Sequence, residues 1–430
     1  MRDRDLRVPM LAALRPVPDF SRLALLHHSN ASQIRKLLRW LDESGLALYL
    51  LTQLKDHEVL GQVPKDFSAA LESRLAANRV RTAAMLSEFA RLVDAFRGSG
   101  VQFCALKGFT LSPEFCRDVH LRHQTDFDFL VTPDSLENAK RAMQSCGYEQ
   151  GEIAESGEAT FTTPLRHIPT ANDDIYATPR HREVDLLTTL RLFAHGVSIP
   201  MPTPDFNDLK TGILLDIAFP ALGSEEMFCL QVMHAFRHLL GSWIRVSWLY
   251  EIGYFIDRHC GDEDLWRAIV DRMGHDARTR NAFGLVISLA RVLFPRPIPE
   301  PLAEWCLRSL PPRIETWVAH FGLKTAIADL DGAKFTLFVH REFVDDRAFW
   351  TSYVKYRIFP IGRRSSIGRV AITDTGSRIN AKVSQWRHAM SRFIFHARSL
   401  FSLPVEGIRF RYALRLVERQ RVLVAEALTR

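Results

Sequence analysis

Residues 126–131 read DFDFLV, with two aspartates one residue apart in an otherwise apolar run. In a β-strand, residues two apart point to the same face. Asp126 and Asp128 then project together, while Phe127 and Phe129 point into a core. The segment therefore predicts a strand with one side buried and the other side lined by carboxylates. A chain holding such a strand must stack further elements on its aromatic side and keep the acidic side open to a cation or a ligand.

Two adjacent carboxylates repel, and each holds its proton more tightly unless a cation sits between them. Mg²⁺ suits the position because it takes hard oxygen ligands and keeps places for phosphate oxygens and water. Two such ions clamp the attacking and leaving oxygens of an in-line phosphoryl transfer. A lone acid pair is also what an exposed strand edge carries, so its neighbours decide the reading. Downstream, HREVDLLTTL predicts a further strand that offers Asp185, with Glu183 on the same face. Upstream, VQFCAL predicts a strand that ends at Lys107-Gly108. A glycine after a strand lets backbone amides approach a phosphate, and the lysine adds a point charge.

The flanks read differently. Residues 20–98 are helical in pattern, with Met85, Phe89, Leu92, Val93 and Phe96 on one face and a stop at Gly98 and Gly100. After the acid pair, TPDSLENAKRAMQSCGY predicts a helix begun at Asp134 or Ser135 and stopped at Gly147. Residues 159–178 predict strand and loop. After Pro220 the chain returns to helix, first in SEEMFCLQVMHAFRHLL and then in WIRVSWLYEIGYFIDRH, with a Pro-rich break at FPRPIPEP.

These elements carry a resemblance. LKGFTL, LRHQTDFDFLV, AKRAMQSCGY and EVDLL, in that order, resemble the uncharacterised nucleotidyltransferase-like family of the DNA polymerase β superfamily. MHAFRHLLGSWIRVSWLYEIGYFI is similar to that family's helical element with paired histidines. The resemblance implies an α+β fold, with a small mixed-sheet nucleotidyltransferase core flanked by N-terminal and C-terminal helical regions. The expected order is a helical region at 1–96, the core at 97–195, a helical lobe at 196–300 and a basic, mainly helical region at 301–430.

The resemblance also implies chemistry: a Mg²⁺-dependent transfer of an NMP group from an NTP to an acceptor, with release of pyrophosphate. Asp126, Asp128 and Asp185 become the metal-binding and catalytic acids. Apart from the resemblance, the sequence has no Gly-rich dinucleotide motif and no P-loop, so Rossmann cofactors and Walker-type ATPases have no support. Lys107, Gly108, Thr110 and Arg122 become the nucleotide-binding set, with Arg122 directed at phosphate. The chain departs from the family pattern at Phe109, where a small residue is usual, at Leu187-Thr188, where His-Trp is usual, and at Glu251, where Asp is usual. The alternative reading is a non-catalytic nucleotide- or RNA-binding adaptor that keeps the fold.

Composition bounds the partners. The net charge is +7, yet residues 341–430 hold 18 Lys+Arg against 7 Asp+Glu, a balance of +11, which leaves −4 for the rest. That basic segment suits contact with a polyanion, and RIFPIGRRSSIGR (357–369) with Tyr353, Tyr356 and Phe359 suits phosphates and bases. The acceptor class stays open among a small molecule, RNA and protein. No apolar run reaches membrane-spanning length, and the first residues lack a signal-peptide pattern, which predicts a cytoplasmic location. Six scattered cysteines predict reduced thiols. His234 and His238 share a helix face; Ala235 stands where a zinc protease would have glutamate, so a packing or nucleotide-side role is expected of the pair, with Arg237 and Arg245 nearby.

Overall fold

The computed structural model describes residues 2–153, 159–164, 175–176, 182–241, 244–274, 276–327, 334–358 and 401–421, together with 386, 390 and 397. The chain begins with helices α1 (Asp3–Ala13), α2 (Ala31–Ser44), α3 (Ala47–Asp56) and the long α4 (Lys65–Gly98). Then come β1 (Phe103–Leu106), β2 (Asp126–Val131), α5 (Leu136–Ser145), β3 (Glu149–Ile153), β4 (Ala159–Thr162) and β5 (Glu183–Leu187). Two hairpins follow, β6 (Arg191–Ala194) with β7 (Val197–Pro200), and β8 (Lys210–Leu214) with β9 (Ile217–Ala221). The helical remainder contains α6 (Ser224–Leu240), α7 (Val246–Arg258), α8 (Glu263–Met273), α9 (Ala277–Leu293), α10 (Glu300–Cys306), α11 (Pro312–Trp317), α12 (Leu323–Ile327), α13 (Thr336–His340) and α14 (Arg347–Ile358). Residues 401–421 form a last described helix, α15.

Seven strands make one mixed sheet in the order β3-β4-β5-β2-β1-β9-β8. The α+β expectation holds, and the sheet runs past residue 195. Strand β9 pairs in parallel with β1 through Ala105 and Ala221. The helical lobe therefore begins at Ser224 instead of 196, because residues 197–221 are strands and the turns between them. β8 is an exposed edge with little apolar alternation, so its pattern carries no strand signal.

The sheet divides two cores. Phe103, Ala105, Phe127, Phe129, Val184 and Leu186 lie in one cluster with Phe89, Leu92 and Phe96 of α4 and Met143 of α5. Cys104, Leu106 and Leu130, which alternate with them, lie in the other cluster with α6, α7 and α9. The aromatic half of DFDFLV is thus an anchor: Phe89 stacks on Phe129 at 5.8 Å and Phe96 meets Phe129 edge-on at 5.0 Å. The face read from the sequence on α4 is the buried one, including Met85, Phe89, Leu92, Val93 and Phe96. The N-terminal half of α4 turns Phe67 and Leu71 into the second core, so this helix spans both.

All six cysteines are free thiols; four are buried, Cys146 is half-buried and Cys260 is exposed. Among the described residues no helix is long and apolar enough to cross a membrane. Tyr353 and Tyr356 lie on α14; residues 359–369, the rest of the basic glycine- and serine-containing stretch, are outside the described residues.

Candidate active site on the acidic face of the sheet

Strand β2 lies between β1 and β5, antiparallel to the first and parallel to the second. The register with β5 places Asp126 beside Glu183 and Asp128 beside Asp185. Strands in register sit about 4.8 Å apart and turn facing side chains to the same side. Asp126, Asp128 and Asp185 therefore share one face, as the alternation of apolar and acidic residues requires. Thr160 of β4 stands opposite Asp185 and donates its hydroxyl to Asp185 Oδ1 at 2.7 Å. Thr125 donates to Asp126 Oδ1 at 3.1 Å.

The chain leaves β1 through a tight turn. Lys107 and Gly108 both have positive φ, +50° and +53°. For a lysine this is a costly backbone conformation, of the kind retained where a side chain must be aimed. Here Nζ of Lys107 donates to Asp128 Oδ1 at 3.1 Å, with both side chains largely shielded. Burial works against the Lys107 ammonium, but the charges of Asp128 and Asp126 and the hydrogen bond to Asp128 outweigh it, so its pKa is raised. The turn closes because the backbone N–H and the hydroxyl of Thr110 both donate to the Lys107 carbonyl, at 2.9 and 2.7 Å. Thr110 is buried and its hydroxyl belongs to the loop itself. Phe109, the residue that departs from the family pattern, turns away from this face into the first core, edge-on to Phe89 at 5.9 Å.

Gly108 is needed for close approach. A Cβ there would lie 2.4 Å from Gln124 Nε2. That amide nitrogen donates to the Asp126 carbonyl at 2.7 Å, so Gln124 ties the loop to the first residue of β2. The segment before β2 is held in turn by α4. Asn78 Nδ2 donates to the carbonyls of His120 and Arg122 at 2.6 and 3.3 Å, and Arg81 donates Nε and Nη2 to the Gln124 carbonyl at 3.2 and 2.6 Å. These contacts join residues 42 to 44 positions apart, and no local pattern signals them.

Arg122 is placed against Glu251, not against open space: Nε donates to Glu251 Oε1 at 3.3 Å. Burial opposes the guanidinium charge, but Glu251 foremost raises its pKa, with Asp126 among the contributing charges. Glu251 is fully buried on α7 and also accepts from Tyr49 Oη at 2.9 Å and Gln231 Nε2 at 3.2 Å. The position where the family pattern has a shorter acid is thus the hub that fixes Arg122. Arg245 likewise serves the same segment, donating Nη1 to the His123 carbonyl at 3.1 Å.

Opposite the acids, α6 supplies His234 and His238. Their rings meet at 4.5 Å and both pack on Trp248, at 4.5 and 4.7 Å. Burial keeps both neutral. His234 lies well below the usual value, with Lys107 the next cause, and His238 is lowered to about 3, with Arg237 and Lys107 contributing. The pair is therefore within electrostatic reach of the Lys107 ammonium and stays available as neutral hydrogen-bonding groups.

The donor set tests which cation suits the acidic face. Three carboxylates offer only hard oxygens, which fits Mg²⁺ and does not suit zinc. Lys107 already brings a positive charge to Asp128 and offsets part of the repulsion between the acids. Among the described residues no group of three or more His, Cys, Asp or Glu side chains is gathered as closely as a bound metal needs.

Residues 30–295, well over half of the chain, match the model of a family described as uncharacterised nucleotidyltransferase. The chain belongs to this nucleotidyltransferase family. No curated protein matches it. The family span takes in α4, the whole seven-stranded sheet and the α6–α7 histidine and glutamate positions, so every element that builds the acidic face of this nucleotidyltransferase lies inside it.

Proposed function

We propose that this nucleotidyltransferase moves an NMP group from an NTP to an acceptor hydroxyl and releases pyrophosphate. The observation that carries the reading is the register of β2 and β5, which sets Asp128 beside Asp185 on the face that also bears Asp126. Asp126, Asp128 and Asp185 would hold Mg²⁺, which supplies charge neutralisation for the triphosphate and for the leaving pyrophosphate. The acceptor oxygen attacks the α-phosphorus, the bond from that phosphorus to the bridging oxygen breaks, and the electron pair leaves with pyrophosphate. Asp185 takes the acceptor proton, and its bond from Thr160 holds the carboxylate oriented for that role. Lys107 pairs with Asp128 before the nucleotide arrives and turns to phosphate afterwards. Gly108 lets Gln124 pack closely against the loop that would carry the triphosphate, Thr110 holds the loop closed, and Arg122, held by Glu251, is a positioning residue behind Asp126.

The acceptor, whether small molecule, RNA or protein, is the open part of this reading. The test is pyrophosphate release with each of the four NTPs and Mg²⁺, comparing the natural chain with Asp126→Asn and Asp128→Asn. Each substitution is expected to lower turnover by at least about two orders of magnitude, as loss of a charge-stabilising group does. Mg²⁺-dependent NTP binding with no turnover in any acceptor mixture would favour a non-catalytic nucleotide- or RNA-binding adaptor. Turnover unchanged in both variants would end the assignment of the acid pair.

A further inference from the structure

Helix α15 has two apolar faces, and among the described residues only one of them is covered. Phe410 and Leu414 are buried, and the Phe410 ring packs on Phe321 at 5.8 Å and Phe338 at 5.4 Å. Glu406 accepts from Lys324 at 3.3 Å, and Arg421 reaches Glu315 at 2.7 Å. These contacts hold the helix by its inner side along its length.

The outer side carries Phe401, Val405, Ile408, Tyr412 and Leu416, exposed by 80%, 50%, 63%, 66% and 43%. At about 100° per residue these five positions fall within an arc of roughly 80°, centred nearly opposite Phe410. The stripe is about 24 Å long at 1.5 Å per residue. Arg409, Arg411, Arg415 and Arg419 flank or interrupt it, and all four are exposed. The two acids of the helix, Glu406 and Glu418, fall outside the stripe on the same wheel.

We propose that the outer face of α15 docks on the surface of a lipid bilayer rich in anionic phospholipid. A lengthwise apolar stripe bordered by arginines is the pattern of a helix lying in a membrane interface, its apolar side chains between the headgroups and its guanidiniums on lipid phosphates. Charge selects this occupant over two others. Arg409 is paired with Glu406 at 3.0 Å, but a second copy apposed through the same face would still bring Arg415 and Arg419, which lie beside and within the stripe, against the same two arginines. Residues 359–400 of this chain hold 8 Lys+Arg against 1 Asp+Glu, so they too would add like charge. Since no described helix is long and apolar enough to span the bilayer, the contact is a surface one. The inner contacts keep the helix attached to the body of the protein while its outer face meets lipid. This inference is independent of the reaction proposed above.

The test is co-sedimentation of the full chain with phosphatidylcholine vesicles, with and without about 30% phosphatidylserine. Two variants accompany it, Ile408→Asp with Tyr412→Asp, and Arg415→Glu with Arg419→Glu. All four side chains are exposed, and far-UV circular dichroism with a melting curve checks that the variants fold. The natural chain is expected to bind the phosphatidylserine vesicles and to bind phosphatidylcholine alone at least tenfold more weakly. Each arginine near the surface contributes about a fivefold effect, so the double reversal should weaken binding by more than about 25-fold, and added salt should weaken the natural chain's binding. The aspartate pair should weaken it by at least tenfold. Equal binding to both vesicle types, binding unchanged in both variants, or no binding would overturn the proposal. So would a change of oligomeric state in the aspartate variant without a change in vesicle binding, which would assign the stripe to a second copy.

Discussion

Asp185 accepts from a neutral donor, and that makes Thr160 informative. Its hydroxyl bond to Oδ1 aims the carboxylate without adding charge. Thr160→Val keeps the shape and the β-propensity and removes only the donor. It should lower kcat about 10- to 100-fold, the usual loss when a partner behind a functional ligand is removed, with little change in melting temperature. A fall in stability with normal kcat would make the contact merely structural. Gly108 gives a second test. Gly108→Ala imposes a left-handed backbone on a Cβ-bearing residue and drives that Cβ against Gln124 Nε2. The backbone part alone costs roughly 1–2 kcal/mol, and displacement of Gln124 loosens the start of β2. The added change Gln124→Ala should relieve the clash and leave the backbone cost, so urea denaturation should show partial recovery in the double variant. Lys107 at +50° shows how far the loop departs from ordinary backbone to aim its ammonium. The strand alternation made Asp126 and Asp128 legible, but the sequence carried no sign that Lys107 would stand on Asp128, because that contact depends on the turn's dihedral angles.

At the scale of elements, Glu251 joins α7 to α3 through Tyr49, to α6 through Gln231 and to the segment before β2 through Arg122. It is fully buried, so its removal leaves the Arg122 guanidinium without its main counter-charge. Glu251→Ala should destabilise the fold by about 3–5 kcal/mol, as breaking one side of a buried ion pair does. Replacing Arg122 by Met in the same chain should recover part of the loss, because the charge is then removed as well. Denaturant midpoints of the two single variants and the double variant measure the coupling. Failure of the double variant to recover anything would mean that Tyr49 and Gln231, not Arg122, dominate the hub. None of this was readable along the chain: Arg122 and Glu251 are 129 positions apart, and the expectation for Arg122 was phosphate. The helices α4, α5, α6 and α7 were legible because each has a long apolar face and a clear stop. The hairpins β6–β7 and β8–β9 were not, since strands of four or five residues with exposed alternate positions carry too few apolar repeats to register. Thr160 was hidden for the same reason, as one polar residue in a short, mixed stretch.

At the scale of the whole molecule, buried histidines that must stay neutral tie together segments far apart in the chain. His123, which precedes β2, shares a hydrogen bond with the Ile175 carbonyl at 2.6 Å; His340 of α13 does so with the His195 carbonyl in the β6–β7 turn at 3.0 Å. A carbonyl accepts, so each ring places its proton on Nε2. Burial, with Arg245 next for His123, lowers both to about 3, although the carbonyl bond works the other way. His340 is fully buried and its Nδ1 has no hydrogen-bond partner, so a second proton there would have nothing to bond to. The folded values lie below the unfolded value near 6.5. As the pH falls, the unfolded chain therefore takes up protons before the folded one does. Stability is full above about pH 6.5 and is lost between there and about pH 3. Between pH 7 and pH 5 each of these histidines should remove about 2 kcal/mol. His340→Gln keeps an amide donor for the His195 carbonyl and cannot titrate. Urea unfolding at pH 7 and pH 5 should then show a pH-dependent loss smaller by about 2 kcal/mol than in the natural chain, whereas an identical loss in both would show that His340 is not among the groups that couple protonation to the joining of the helical body and the hairpin.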